Sequence, residues 1–148
     1  MSIKDKNIVL GVTGGIAAYK ACELTRLLIK SGAKVHVIMT KGAAEFVAPL
    51  TFQTLSRNPV HSSLFSLTQE AEVGHISLAD RADLFVIAPA TANIIGKIAH
   101  GIADDMLSTV VMATKASVLL APAMNCNMYE NPIVQENMNK LKGYGYNF

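Results

Sequence analysis

The residues best placed to do chemistry in this 148-residue chain fall where apolar runs stop. In "GVTGGIAAYK", Gly14 and Gly15 separate a β-branched run from a helical pattern. Bare backbone N–H groups and a helix dipole at such a turn can hold a phosphate. The spacing of Gly11, Gly14 and Gly15 is not GxGxxG, and the GK[ST] ending of a P-loop is missing. A dinucleotide site would also place an acidic residue near the end of the second apolar run, where Thr40 and Lys41 stand. A mononucleotide phosphate is therefore expected, although a glycine pair serves equally to permit a tight turn. In "APATAN", Ala90, Thr91 and Ala92 are small enough for a flat ring or a phosphate to approach the backbone, and Thr91 and Asn93 can hydrogen-bond to it. The same residue types are also ordinary packing residues.

His75, in "VGHISLAD", is expected to begin a helix. There the dipole disfavours the imidazolium and keeps a neutral base available near pH 7, while a surface or capping histidine is the plainer alternative. His36, His61 and His100 show no metal-ligand spacing and are read as structural. The packet "APAMNCNMYENP" (121–132) carries Asn125 between two methionines and ends in a helix start at Asn131 and Pro132. Met124 and Met128 are expected to form apolar walls. Cys22 reads as packing, and nothing local supports Cys126 as a nucleophile.

Strands and helices must position these groups. "NIVLGV" (7–12), "AKVHVIMT" (33–40), "DLFVIAPAT" (83–91) and "ASVLLAPA" (116–123) read as strands. Helical patterns follow each, with Gly32 capping the first. Pro49 bends or divides the segment 42–56, 74–82 is a short helix, and 92–114 breaks near Gly101. The last helix runs from Pro132 to about Gly143. Apolar strands alternating with helices predict an α/β fold: a doubly wound parallel sheet with helices on both faces, a Rossmann-like or flavodoxin-like three-layer sandwich. Ligands of such sheets bind beyond the carboxyl ends of the strands, where "TGGI", "MTKG", "APATAN" and "APAMN" lie.

The length fits one domain, residues 1–148. A net charge of +2 with scattered lysines and arginines argues against nucleic acid. No run reaches the ~18–20 apolar residues of a membrane span. Two cysteines without CxxC spacing fit a reducing, cytoplasmic setting and no metal. With 51% apolar and only 16% charged residues, extensive subunit contact is expected.

Together "GVTGGIAAYK", "GHISLAD", "APATANIIGKIAHGIADDMLS" and "PAMNCNMYENP" resemble the homo-oligomeric flavin-containing cysteine decarboxylases over nearly the whole chain. The resemblance implies FMN held by Gly14, Gly15 and Ile16, by Thr40, by Ala90, Thr91, Ala92 and Asn93, and by Ala123. It implies His75 as catalytic base and Asn125 as contact for the substrate carboxylate. The implied substrate is 4′-phosphopantothenoylcysteine, converted toward 4′-phosphopantetheine in coenzyme A biosynthesis, and the implied assembly is a homotrimer or larger. A carboxylate leaving the cysteinyl α-carbon needs an electron sink, which oxidation of the CH2–SH group by FMN provides. Where the family often has tryptophan this chain has Tyr129, an aromatic for an aromatic. Family members that complete the final reduction carry a further substrate-clamping segment with a proton-donating cysteine. The expectation is that these 148 residues alone bind FMN and stop at the enethiol.

Three alternatives stay open beside this reading. Peptide-cysteine decarboxylases share many of these motifs and stop at the enethiol. Flavin prenyltransferases have a similar fold but lack the histidine followed by PxMNxxM. A non-catalytic flavin-binding regulatory protein is the third.

Overall fold

The computed structural model describes residues 2–64 and 71–148, with side chains in the second stretch from Ile76 onward. Strand β1 (Asn7–Val12) lies at the centre of the sheet, because its side chains are apolar on both faces. Helix α1 (Ala18–Lys30) leads to β2 (Lys34–Met39), which pairs in parallel with β1 from Asn7 opposite Lys34 to Val12 opposite Met39. The turn between them is a Schellman motif: Ala33 N–H donates to Leu28 C=O and Gly32 N–H to Ile29 C=O, with Gly32 at φ +88°. That left-handed position is where glycine avoids a Cβ clash, so the expected cap stands.

The segment 42–56 is divided, as Pro49 foretold, into α2 (Lys41–Ala44) and α3 (Pro49–Ser56), with Pro49 in the first helical turn. A two-residue strand, β3 (Val60–His61), then pairs with the outer edge of β2. Sequence reading missed it, because two residues make no periodicity. Helix α4 (Ala71–Arg81) starts three residues before the expected 74. It is followed by β4 (Leu84–Ala90), α5 (Ala92–Ala99), α6 (Met106–Ala113) and β5 (Ser117–Pro122). The break expected near Gly101 is present, and Gly101 has φ +68°. A single turn, α7 (Cys126–Tyr129), was not anticipated; α8 (Pro132–Gly143) was, with Asn131 Oδ1 accepting from Ile133 N–H.

All pairings are parallel, in the order β3-β2-β1-β4-β5. Ile8, Leu10, Val12, Val37 and Met39 face α1 and α3, where Ala18, Ala21 and Phe52 complete one core. Val9, Ile38, Phe85, Ile87, Val118 and Leu120 face the other way, against Leu78, Ile94, Ile95, Leu107, Val110 and Leu141 of α4, α5, α6 and α8. Each fully buried side chain of this kind contributes about 1.5–3 kcal/mol. The result is the expected three-layer α/β sandwich, with one local difference. On β5 only Val118 and Leu120 are buried, while Ser117, Leu119 and Ala121 are exposed on the α1 side. Only one face of this edge strand is therefore covered within the chain. Its outer edge instead bonds Asn147.

Candidate functional site

The sheet order reverses direction at β1: the chain winds outward to β2 and β3, then crosses to β4 and β5. Such a reversal leaves a crevice at the carboxyl ends of the central strands. Here it forms a cleft of about 520 Å³ lined by the residues after β1 (Thr13, Gly14), after β2 (Thr40, Lys41, Gly42) and after β4 (Thr91 to Ile94). Lys97 of α5, Asp105 at the start of α6 and Met128 of α7 complete the wall.

Two threonines use the same local solution. Thr40 and Thr91 leave their strands extended, at φ −71° and −73°, and each Oγ1 accepts from a backbone N–H three residues on, Ala43 at 3.2 Å and Ile94 at 3.3 Å. A hydroxyl capping in this way still has its own proton to donate. Neither threonine hydroxyl donates to a protein acceptor among the described residues. Thr13 is spent differently: it is buried, donates to the Pro89 carbonyl and accepts from Thr91 N–H at 3.1 Å.

The glycine pair separates into two roles. A Cβ on Gly14 would lie 2.7 Å from the Gly42 carbonyl carbon and 2.9 Å from its oxygen, so the backbones of the first two strand-end loops touch only because Gly14 has none. A Cβ on Gly15 would sit an ordinary 3.8 Å from the Thr91 methyl group. Packing within the chain therefore explains Gly14 and leaves Gly15 without a steric reason. The helix beyond them, α1, has Ala17 at its N-cap and so no side-chain cap.

Of the nine expected cofactor residues, Gly14, Thr40, Thr91, Ala92 and Asn93 share the cleft wall. Ala90 is buried, and its carbonyl accepts from Ala123 N–H at 3.1 Å, tying the ends of β4 and β5 together. Ala123 itself lines a second groove of about 260 Å³ between α1 and those strand ends. Ile16 is 77% exposed.

Asn125 is exposed at the start of α7, one turn before Met128. Its Oδ1 accepts from Asn127 N–H at 2.9 Å. The amide oxygen is thereby committed to the cap, and the NH2 group is the end left to donate. Met128 stands in the cleft wall as an apolar side chain, while Met124 packs against the core. The side chain of His75 lies outside the described residues. Its backbone is the fifth residue of α4, so the expectation that it begins a helix is corrected. A dipole effect confined to the first turn no longer explains a neutral imidazole there.

Lys97 and Asp105 were not found from sequence. Lys97 Nζ bonds Asp104 at 2.7 Å and Asp105 at 3.0 Å, and these carboxylates raise the pKa of its ammonium. For Asp105, burial pushes the carboxyl up, but the Ser108 N–H and the Lys97 ammonium outweigh it and hold the value below the usual range. The available signal was spacing: Asn93 and Lys97 are four apart on one helix and share a face. Cys22 and Cys126 are free thiols. Among the described residues no group of three or more His, Cys, Asp or Glu could hold a metal ion, and no helix is long and apolar enough to cross a membrane.

A doubly wound sheet with a cleft at its switch point, lined by glycines, threonines and apolar side chains, defines a nucleotide- or cofactor-binding class of protein. Within that class the chain belongs to the Flavoprotein family, which it matches over residues 1–148. It is 52% identical over 146 residues to the coenzyme A biosynthesis bifunctional protein CoaBC of Bacillus subtilis (strain 168), covering 99% of this chain and 36% of that one. It is 48% identical over 143 residues to a probable phosphopantothenoylcysteine decarboxylase of Streptococcus mutans, covering 95% of this chain and 80% of that one. Among solved structures, the FMN-dependent cysteine decarboxylase SpaF superposes with a TM-score of 0.89 at 31% identity, covering 98% of this chain and 83% of that one. The chain thus spans little more than a third of the bifunctional relative.

Proposed function

We propose that residues 1–148 form a single FMN-binding domain that decarboxylates the cysteine carboxylate of 4′-phosphopantothenoylcysteine in coenzyme A biosynthesis. The observation that carries this reading is the cleft at the ends of β1, β2 and β4, lined by Gly14, Thr40, Thr91, Ala92 and Asn93. Its volume is within the ~300–1,000 Å³ of small-molecule sites. The residues fit a flavin mononucleotide: small side chains for a flat ring, and two threonine hydroxyls with protons to donate. Gly15, whose missing side chain the protein's own packing does not require, fits close approach of a phosphate at the uncapped start of α1. The names of the relatives at 52% and 48% identity support the substrate.

When bound, FMN supplies the two-electron sink that a cysteine carboxylate needs in order to leave. The chain orients that carboxylate through the Asn125 NH2 group, whose partner oxygen is held by Asn127. A neutral donor positions the carboxylate without holding its charge as an arginine would, so charge can move off it in the transition state. His75 accepts a proton from the substrate. The apolar Met128 excludes water from the cleft wall. Two free cysteines suit a reducing cytoplasm, and exposed Ile16, Tyr19, Met128 and Tyr129 support a homotrimer or larger assembly.

The test is CO2 release by the FMN-loaded chain from phosphopantothenoylcysteine and, separately, from a peptide ending in cysteine. Turnover of the first alone is expected. Turnover of the peptide alone would make this a peptide-cysteine decarboxylase, and a chain that takes up no FMN would remove both readings.

A further inference from the structure

The strand-end loops are held to the sheet by two different means. On the β2 side the backbone ladder runs to the last strand residue, Val12 opposite Met39, and continues into the loop as Thr40 N–H donates to Val12 C=O at 3.1 Å. On the β4 side the pairing with β1 stops earlier, at Gly11 opposite Ile87. Pro89 follows two residues later and has no N–H to give a ladder. Beyond that point the β1 and β4 loops are joined by a side chain. The Thr13 hydroxyl, 2% exposed, donates to Pro89 C=O and accepts from Thr91 N–H. It thereby stands in for the missing backbone bonds, fixing the residue immediately before α5.

We propose that Thr13 is a positioning residue. Its hydroxyl latches the Thr91–Asn93 wall against the Gly14–Gly15 turn and sets the width of the cleft before any ligand arrives. Thr91 N–H is consumed by this bond, so the latch leaves the Thr91 hydroxyl and the Asn93 side chain as the polar side-chain groups of that wall that can turn toward a ligand. Both partners of Thr13 are main-chain groups at the site floor. Losing the hydroxyl strands a buried acceptor, Pro89 C=O, and a part-buried donor, Thr91 N–H, together, and the wall shifts to find water. The inference rests on FMN as the occupant of the cleft for its binding readout.

The full chain is compared with Thr13→Val, Thr13→Ser and Thr25→Val by FMN dissociation constant, from quenching of flavin fluorescence, and by the visible spectrum of the bound flavin. Each protein is measured where circular dichroism shows it folded. Thr25 is a buried threonine of α1 whose hydroxyl donates to Ala21 C=O, so Thr25→Val makes the same side-chain change in the core at a residue that does not line the cleft. Thr13→Val removes both bonds and is expected to weaken FMN binding about tenfold or more and to shift the flavin spectrum. Thr13→Ser keeps both bonds and should stay within about threefold, and Thr25→Val should bind as the unaltered chain does. Binding unchanged in Thr13→Val, or equally weakened in Thr25→Val, overturns the proposal.

A second measurement, on the unaltered chain without FMN, needs no variant to fold. The Thr91 amide should exchange with solvent as slowly as the ladder amides of β4, and fast exchange overturns the latch. If the unaltered chain binds no FMN, the functional reading fails by itself, while amide exchange still decides the role of Thr13.

Discussion

Single atoms decide much of this site. Gly14 and Gly15 look equivalent in the sequence, yet a methyl group on the first meets backbone at 2.7 Å and on the second meets only a methyl at 3.8 Å. Gly14→Ala should therefore cost about 1–3 kcal/mol of stability, read as a lowered denaturation midpoint. Gly15→Ala should leave that midpoint within about 0.5 kcal/mol and weaken FMN binding about tenfold, measured by fluorescence titration. Asn125 can be tested with equal economy, because aspartate keeps an oxygen to cap α7 but has no NH2 to donate. Asn125→Asp should unfold at the same denaturant concentration as the unaltered chain and lose CO2 release by about a hundredfold. What sequence alone made legible here is uneven. Thr91, Ala92 and Asn93 could be named because strand ends predict where ligands sit, and Thr40 through the family resemblance. Thr13 could not be distinguished from its neighbours, since its role depends on where β4 stops pairing, 76 residues away.

Elements carry the next layer of control. The loop from α5 to α6 reaches the cleft because Asp105 caps α6 through a reciprocal bond with Ser108, and Lys97 pins Asp104 and Asp105 from the preceding helix. Asp105→Ala removes the cap and should cost about 1–2 kcal/mol in denaturant unfolding. The folded-state pKa of Asp105 is depressed, so the stability it adds is full above the ordinary carboxylate value of about 3.9 and is lost as pH falls through the lower, folded one. Asp105→Asn keeps a capping oxygen without the charge, and its acid limb of stability against pH should be flatter. The long elements were legible from their apolar runs, and Pro49 and Gly101 marked breaks because each constrains the backbone in a known direction. The failures have physical causes. Helix α4 passes through Gly74, a residue that usually marks an end, and α7 and β3 are too short to show a period. On β5, an apolar run was read as two buried faces, where one is open to the outside.

At the scale of the molecule, Ile16 and Tyr19 at the start of α1 and Met128 and Tyr129 on α7 all leave large apolar or aromatic side chains exposed. A subunit of 15.8 kDa showing this much apolar surface beside its cleft should sediment as a homo-oligomer, three copies on our reading. Tyr19→Glu should shift the distribution toward smaller species. The parallel topology was legible from the alternation of elements, but the strand order was not, because no local signal states which side of β1 receives β4. That order also sets a sequence in time. Pairing β1 with β2 closes 27 residues, Asn7 to Lys34, whereas pairing it with β4 closes 76, Ile8 to Leu84. The longer closure costs about 1 kcal/mol more chain entropy. In refolding from denaturant the β1–β2 half can form first, and a cleft with walls from both halves exists only once the second has docked. Quenching of added flavin should accordingly lag the recovery of helical circular dichroism, so the pigment acts as a clock for the last step of assembly and not as a template for the first.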